Sequence, residues 1–141
     1  MSADGLDIVE RTAFVPEPLE GGAIMRRGDT YFCIGSHLSG WDPNPNVYST
    51  AKRLEGPWSA FHDIAPPETN TYGGQSAMLL RIDGPGEDDA VIFIGDIWKP
   101  NALWDSRYLW MPMELHGDRL FLPAPHPWRV NVRTGTATTL P

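Results

Sequence analysis

Apolar residues along this chain recur with the two-residue period of β-strands and not with the period of 3.6 that marks a helix. Short apolar runs alternate with turns rich in Gly, Pro and Asp, and no helical period extends beyond a turn or two. Gly and Pro number 14 each and are spread along the chain, which is typical of many short strands joined by turns. The pattern therefore predicts an all-β fold.

The first half of the chain predicts one four-stranded unit. Its predicted strands are Ala23–Arg26, Thr30–Ser36, Val47–Lys52 and Trp58–Ile64. The second of these carries apolar side chains on both faces, so we expect it to be buried on both sides. Four strands joined by tight turns within about 40 residues match the size of one blade of a β-propeller.

A second unit repeats the same order of strands, turns and a Trp-bearing loop after the proline-rich stretch of residues 65–70. Its predicted strands are Gln75–Ile82, Ala90–Asp96, Arg107–Leu115 and Arg119–Leu122, with a polar turn at Asp83–Asp89. Two further strands are predicted, at Leu6–Ile8 and at Trp128–Val132, and the Thr-rich end is expected to fray.

These patterns divide the chain into four parts. They are an entry segment (residues 1–18), one blade (19–64), a second blade (71–122) and a closing strand with a tail (123–141). With 141 residues and 41% apolar residues, the chain is long enough for one domain with a hydrophobic core.

Charge and hydropathy exclude several classes of partner. The formal net charge is −7, which argues against nucleic acid and anionic membranes, since both require clustered Lys and Arg. No apolar run reaches the roughly 18 residues of a membrane-spanning helix. The acidic start of the sequence lacks the apolar segment of a signal peptide, so no export signal is predicted.

Candidate chemistry concentrates where Glu20 stands before two glycines and Trp41 follows in a loop. A carboxylate close to an indole suggests a carbohydrate site, and the six Trp and four Tyr residues exceed what a core usually needs. The alternatives are a solvated turn residue for Glu20, a loop anchor for Trp41 and a well-packed β core for the other aromatic residues. The four histidines lack metal-ligand spacing, so no metal is predicted, and the single Cys33 is predicted to be a small buried residue.

An ordered series of motifs resembles glycoside hydrolase family 43. The series consists of Glu20-x-x-Ala23, Met25–Phe32, Gly40–Asn44, Leu54–Trp58, Gly74–Ser76, Phe93–Trp98 and Asp105–Pro112. It resembles most the branch that contains exo-β-1,3-galactanases, and it covers residues 19–132. The resemblance implies a five-bladed β-propeller, of which this chain would form about two to three blades.

The resemblance also implies roles at a sugar-binding site. Glu20 matches the general acid that protonates the departing glycosidic oxygen, and Gln75 matches a glutamine that positions the attacking water. Trp41 matches an aromatic residue that stacks on the sugar. The remaining candidates for substrate contact are Asp42, His37, Asp96 and Arg107. For these four, turn formation or strand packing is the alternative interpretation.

The predicted function is inverting hydrolysis of β-linked galactan or a related plant polysaccharide, with no cofactor. An inverting glycosidase needs two groups about 6.5–9.5 Å apart, and this sequence offers one convincing acid, Glu20. Five blades need roughly twice this length. The prediction is therefore a truncated or partial chain, which lacks its amino-terminal blades or completes itself by self-association.

A non-catalytic carbohydrate-binding remnant is the alternative function. The sequence leaves the sugar open, because enzymes for arabinose, xylose and galactose share this architecture. By analogy with the family, such an enzyme would act in an extracellular or periplasmic location.

Overall fold

A computed structural model describes residues 1–85 and 89–141, and in these residues the regular structure is almost entirely β-strand. The strands are β1 (Leu19–Arg27), β2 (Thr30–His37), β3 (Asn46–Ala51), β4 (His62–Asp63), β5 (Gln75–Ile82), β6 (Ala90–Ile97), β7 (Arg107–Pro112), β8 (Glu114–His116), β9 (Arg119–Phe121), β10 (Trp128–Asn131) and β11 (Thr136–Thr139). Short 3-10 segments cover Pro67–Gly73 and Leu103–Asp105. The predicted all-β class is confirmed.

The strands form two principal sheets that follow one another along the chain. The first sheet has the order β1-β2-β3-β4 and the second the order β5-β6-β7. Two hairpins, β8–β9 and β10–β11, accompany them, and every pairing is antiparallel. Each sheet is a meander of consecutive strands, as in a propeller blade.

The hydrophobic core lies between the two sheets. The first sheet contributes Met25, Phe32, Ile34 and Tyr48, and the second contributes Leu79, Val91, Phe93, Leu109 and Met111. Burial of each large apolar side chain stabilises the fold by about 1.5–3 kcal/mol. The end of β9 joins the same core, because Leu122 is buried and its N–H donates to the carbonyl of Ile64 at 2.6 Å.

Strand β2 is buried on both faces, as predicted. Phe32 and Ile34 face the second sheet, whereas Cys33 faces away from it and is still only 7% exposed. Desolvation in this position raises the pKa of the Cys33 thiol. The prediction that Cys33 is a small buried residue is confirmed.

The second sheet differs, because its side away from the first sheet carries apolar residues that are open to solvent. Met78, Ile94 and Trp110 lie directly opposite one another across β5, β6 and β7, and Tyr108 projects on the same side. Met78 and Trp110 are 48% and 49% exposed, and Tyr108 is 68% exposed. These four residues are called the outer face of the second sheet.

Two predicted strands are wrong or too long in the first half of the chain. Leu6–Ile8 forms no strand, because a local turn takes up its backbone: Ser2 N–H donates to the Asp7 carbonyl at 2.8 Å, and Leu6 N–H donates to the Asp4 carboxylate. In Trp58–Ile64 only His62–Asp63 pairs with β3. Earlier in that stretch the Ser59 hydroxyl takes the Thr50 N–H that a longer ladder would use.

Two boundaries differ in the second half. The strand predicted over Arg107–Leu115 ends at Pro112, which has no N–H to donate, and β8 then pairs with β9 instead. The Thr-rich end does not fray, since Thr136–Thr139 pairs with β10. The turn predicted at Asp83–Asp89 lies partly outside the described residues.

Candidate functional site

The site begins with an irregularity in β1. The pairing of β1 with β2 shifts register between Glu20 and Ala23, and Gly21 adopts a φ of +60°. A Cβ atom on Gly21 would lie 2.0 Å from the carbonyl oxygen of Ser76, so only glycine permits this approach of β1 to β5. The Ser76 hydroxyl also donates to the Gly21 carbonyl at 2.8 Å. The bulge therefore joins the two sheets at the position of Glu20.

Glu20 and Gln75 meet at this junction although 55 residues separate them in sequence. The Gln75 amide nitrogen Nε2 donates to Glu20 Oε1 at 3.0 Å, and both residues are half-buried. The same nitrogen donates to the hydroxyl of Ser36 at 3.1 Å. Indole Nε1 of Trp98 donates to Gln75 Oε1 at 2.7 Å. The two residues that the sequence proposed for catalysis thus lie in direct contact.

A buried asparagine supports Gln75 from behind. Asn46 is 1% exposed; its Oδ1 accepts the N–H of Ser76 at 2.6 Å, and its Nδ2 donates to the carbonyl of Gly74 at 3.2 Å. These bonds hold both backbone neighbours of Gln75. The Asn46 N–H in turn donates to the hydroxyl of Thr71 at 2.7 Å.

The backbone just before Gln75 is strained. Asn70, Thr71 and Tyr72 all have φ between 46° and 55°, the left-handed region that side chains other than glycine disfavour. Such residues cost about 1–3 kcal/mol each and persist where the surrounding structure holds them. The buried Thr71 hydroxyl, which bonds to residues 44 and 46, supplies that restraint.

A small cleft of about 150 Å³ opens beside Gln75. Residues 40–44, Asn46, Gly73, Gln75, Ile97 and Trp98 line it. Trp41 contacts Trp98 edge to face, with ring centroids 5.2 Å apart, and 52% of Trp41 remains exposed. An indole supported on one edge and open elsewhere is suited to stack on the apolar face of a sugar ring.

Asp42 and Asp96 lie close to Gln75 in the fold. Asp42 borders the cleft beside Trp41. Asp96 lies directly opposite Gln75 in the β5–β6 pairing and directly opposite Tyr108 in the β6–β7 pairing.

His37 and Arg107 are held by other contacts, and His37 lies opposite Leu19, the residue before Glu20, in the β1–β2 pairing. The backbone of His37 is held by the side-chain amide of Asn44, through its N–H at 3.0 Å and its carbonyl at 2.8 Å. The guanidinium of Arg107 donates to the carbonyls of Asp105 and Ser106 and pairs with the Asp105 carboxylate. Hydrogen bonds from Lys99 and then Arg107 hold the pKa of Asp105 below its usual range.

Three residues of the site were not singled out by the sequence analysis. Trp98 was visible only as the last residue of the motif Phe93–Trp98, and nothing in the local pattern marks Ser36 or Asn46. Among the described residues, no group of three or more His, Cys, Asp or Glu side chains could hold a metal ion. The same residues contain no helix that is long and apolar enough to cross a membrane.

Comparison with solved structures identifies the architecture. An exo-β-1,3-galactanase from Phanerochaete chrysosporium, crystallised with β-1,3-galactotriose, superposes with a TM-score of 0.90 and 35% sequence identity over 99% of this chain. A putative exo-β-1,3-galactanase from Bifidobacterium bifidum gives 0.78 and 30% over 89% of this chain. A β-1,3-galactosidase of glycoside hydrolase family 43 gives 0.65 and 34% over 74% of this chain.

The resemblance to glycoside hydrolase family 43 is confirmed. The match spans 32%, 43% and 30% of those three chains, so this chain corresponds to about a third of the length of the fungal galactanase. The predicted propeller blades agree with the β-propeller fold of these family 43 enzymes. No family model and no curated protein matches the sequence.

Proposed function

We propose that this chain contributes the acid and the glutamine of a glycoside hydrolase site that acts on β-1,3-linked galactan. The observation that carries the proposal is the 3.0 Å hydrogen bond between Gln75 and Glu20 beside the exposed ring of Trp41. The similar structures support the substrate class, since galactanases from two organisms and a galactosidase share this fold at 30–35% identity.

In the proposed mechanism, protonated Glu20 transfers its proton to the glycosidic oxygen as the bond from that oxygen to the anomeric carbon breaks. A water molecule attacks the opposite face of the sugar and inverts its configuration. An amide is not a base at neutral pH, so the role of Gln75 is to orient that water through its carbonyl oxygen. In this proposal Trp41 holds the galactose ring by stacking, and Asp42 and Asp96 are assigned to bond to its hydroxyl groups.

In the proposed mechanism, the attacking water releases a proton, which a base must accept. This chain does not supply that base. We place that group on further blades of the same propeller. Two observations support this assignment: the chain spans 32% of the galactanase it resembles, and the outer face of the second sheet leaves Met78, Trp110 and Tyr108 open. An apolar β-sheet of another blade is the complementary occupant of such a face.

Hydrolysis of β-1,3-galactan and of an aryl β-galactoside, measured on this chain joined to the further blades that the proposal requires, tests the catalytic role. Glu20→Gln is expected to lower the rate by about 10²–10⁴, the usual worth of a positioned general acid. Glu114→Gln, which changes an exposed carboxylate on β8, is the matched control and should retain full activity. Equal activity of the wild type and Glu20→Gln would exclude the acid role.

A second candidate function is binding without turnover, and the presence of only one convincing acid favours it. Titration calorimetry with β-1,3-galactotriose separates the two functions. Trp41→Ala should abolish the affinity, whereas Trp104→Ala, at a residue 89% exposed in a neighbouring loop, should not change it. Affinity in a protein that carries the further blades and still releases no galactose would identify a binding remnant, and absence of both affinity and hydrolysis would contradict both functions.

A further inference from the structure

The side-chain amide of Gln75 is almost saturated with hydrogen bonds. Both Nε2 protons are used, one by Glu20 Oε1 at 3.0 Å and one by Ser36 Oγ at 3.1 Å. One of the two lone pairs of Oε1 accepts the indole N–H of Trp98 at 2.7 Å. No hydrogen bond among the described residues uses the second lone pair of Oε1. That lone pair can therefore accept a hydrogen bond from a ligand or a water molecule.

Trp98 decides which end of the amide faces Glu20. An indole N–H is a donor only, and a carboxylate oxygen that carries no proton is an acceptor only. If the amide rotated by half a turn, its NH₂ group would meet the Trp98 N–H and its oxygen would meet the Glu20 carboxylate. The contact with the indole would set donor against donor whether or not Glu20 carries its proton, so the indole disfavours the reversed orientation.

Ser36 restrains the same amide from the first sheet. Its hydroxyl donates to the backbone carbonyl of Glu20 at 3.2 Å, which directs the oxygen lone pairs toward Gln75 Nε2. Ser36 is fully buried, so water does not compete for these bonds. A single hydroxyl therefore ties the backbone of the proposed acid to the side chain of the proposed water-orienting residue.

We infer that Trp98 and Ser36 are positioning residues that hold the Gln75 amide with its nitrogen toward Glu20 and leave its oxygen as the acceptor for the reacting water. The edge contact of Trp98 with Trp41 extends the same arrangement to the sugar platform. The purpose assigned to this arrangement rests on the proposed function. The orientation of the Gln75 amide itself can be tested without any turnover of substrate.

Nuclear magnetic resonance gives a direct test because Gln75 is the only glutamine in the sequence. Labelling of glutamine side chains with ¹⁵N therefore yields one NH₂ pair. In the wild type we expect two well-separated proton resonances that exchange slowly with water. Trp98→Phe removes the indole N–H and keeps an aromatic ring, and it should speed exchange of the pair about tenfold. Trp104→Phe is the matched control and should leave the pair unchanged.

Ser36→Ala provides an independent variant. It removes the acceptor of one Nε2 proton, so one resonance of the pair should shift and exchange faster, whereas the proton bonded to Glu20 should change less. The backbone amide spectrum of each variant shows whether its fold is retained.

Three results would overturn the inference. They are a wild-type NH₂ pair that exchanges as fast as free glutamine, a folded Trp98→Phe variant whose pair matches the wild type, and a folded Ser36→Ala variant that leaves both protons unchanged. Titration with β-1,3-galactotriose keeps the two proposals apart. A protected pair in a chain that neither binds nor cleaves the sugar contradicts the proposed function and leaves the positioning role standing.

Discussion

The two faces of the second sheet have similar composition and opposite environments. Leu79, Phe93 and Met111 lie opposite one another on the side toward the first sheet and are buried. Met78, Ile94 and Trp110 form the equivalent row one residue along each strand, and two of these three are about half exposed. On β5 and β7, neighbouring residues such as Met78 and Leu79 or Trp110 and Met111 thus meet solvent on one side and a core on the other.

This comparison shows that the sheet has the composition of one buried on both sides. Sheets with one solvated face usually alternate apolar and polar residues, whereas sheets covered on both faces carry apolar residues throughout. The outer face follows the second pattern, which supports the proposal that another blade covers it. The site lies at the junction of the two sheets, so the inner contact positions Glu20 and Gln75 whatever covers the outer face.

The largest effect is expected on the inner face. Phe93→Ala should lower the free energy of unfolding by about 3–5 kcal/mol, because it removes a fully buried aromatic ring and leaves a cavity. Ile94→Ala, at the next residue but on the outer face, should cost less than half of that. Urea unfolding followed by circular dichroism measures both, and equal losses would show that the two faces do not differ as described.

Gly21→Ala tests the junction between the sheets. It places a Cβ against the Ser76 carbonyl in addition to the left-handed strain of about 1–3 kcal/mol. Gly28→Ala is the matched control, because Gly28 has nearly the same φ, 59° against 60°, and no neighbouring atom within 4 Å. We expect Gly21→Ala to be the more destabilising in urea unfolding, and to weaken galactotriose binding. Equal losses of unfolding free energy in the two variants would mean that the close approach of β1 to β5 does not contribute to the need for glycine at Gly21.

Substitutions on the outer face should change association more than stability. Met78→Ser and Tyr108→Ser should each alter the free energy of unfolding by only about 0.5 kcal/mol, as is usual for exposed positions. Because both substitutions remove apolar surface, they should lower the binding of the dye ANS and reduce any self-association seen in sedimentation. Unchanged dye binding in both variants would indicate that this face is not the exposed apolar surface.

The smallest effect concerns the first sheet, whose side away from the second sheet is covered at Cys33. Cys33 lies on that side opposite Ser49, and the Ser49 hydroxyl donates to the Ser59 carbonyl at 2.7 Å, which draws residues near 59 over it. Burial raises the pKa of the Cys33 thiol, which reduces the fraction present as the reactive thiolate. A disulfide reagent should label Cys33 rapidly in urea and very slowly in the folded protein. Rapid labelling without urea would contradict this difference between the sheets.

The sequence by itself determined the strands and the candidates for chemistry. Alternation of side chains and turn residues located the strands of both sheets, because these signals are local. The motif series also pointed to Glu20, Gln75 and Trp41. Strand ends were less predictable: Pro112 ends β7 within a run that otherwise alternates, and the Ser59 hydroxyl shortens β4.

Only the tertiary structure decided how the site is held together. Ser36 and Trp98 bond to the side chain of Gln75, and Asn46 bonds to its backbone neighbours. No sequence period relates these three residues to one another. Gly21 stands two residues before the predicted strand Ala23–Arg26, and its need for glycine arises from Ser76, 55 residues away. Local patterns specify which residues form strands, whereas contacts between strands of different sheets depend on how the whole chain packs.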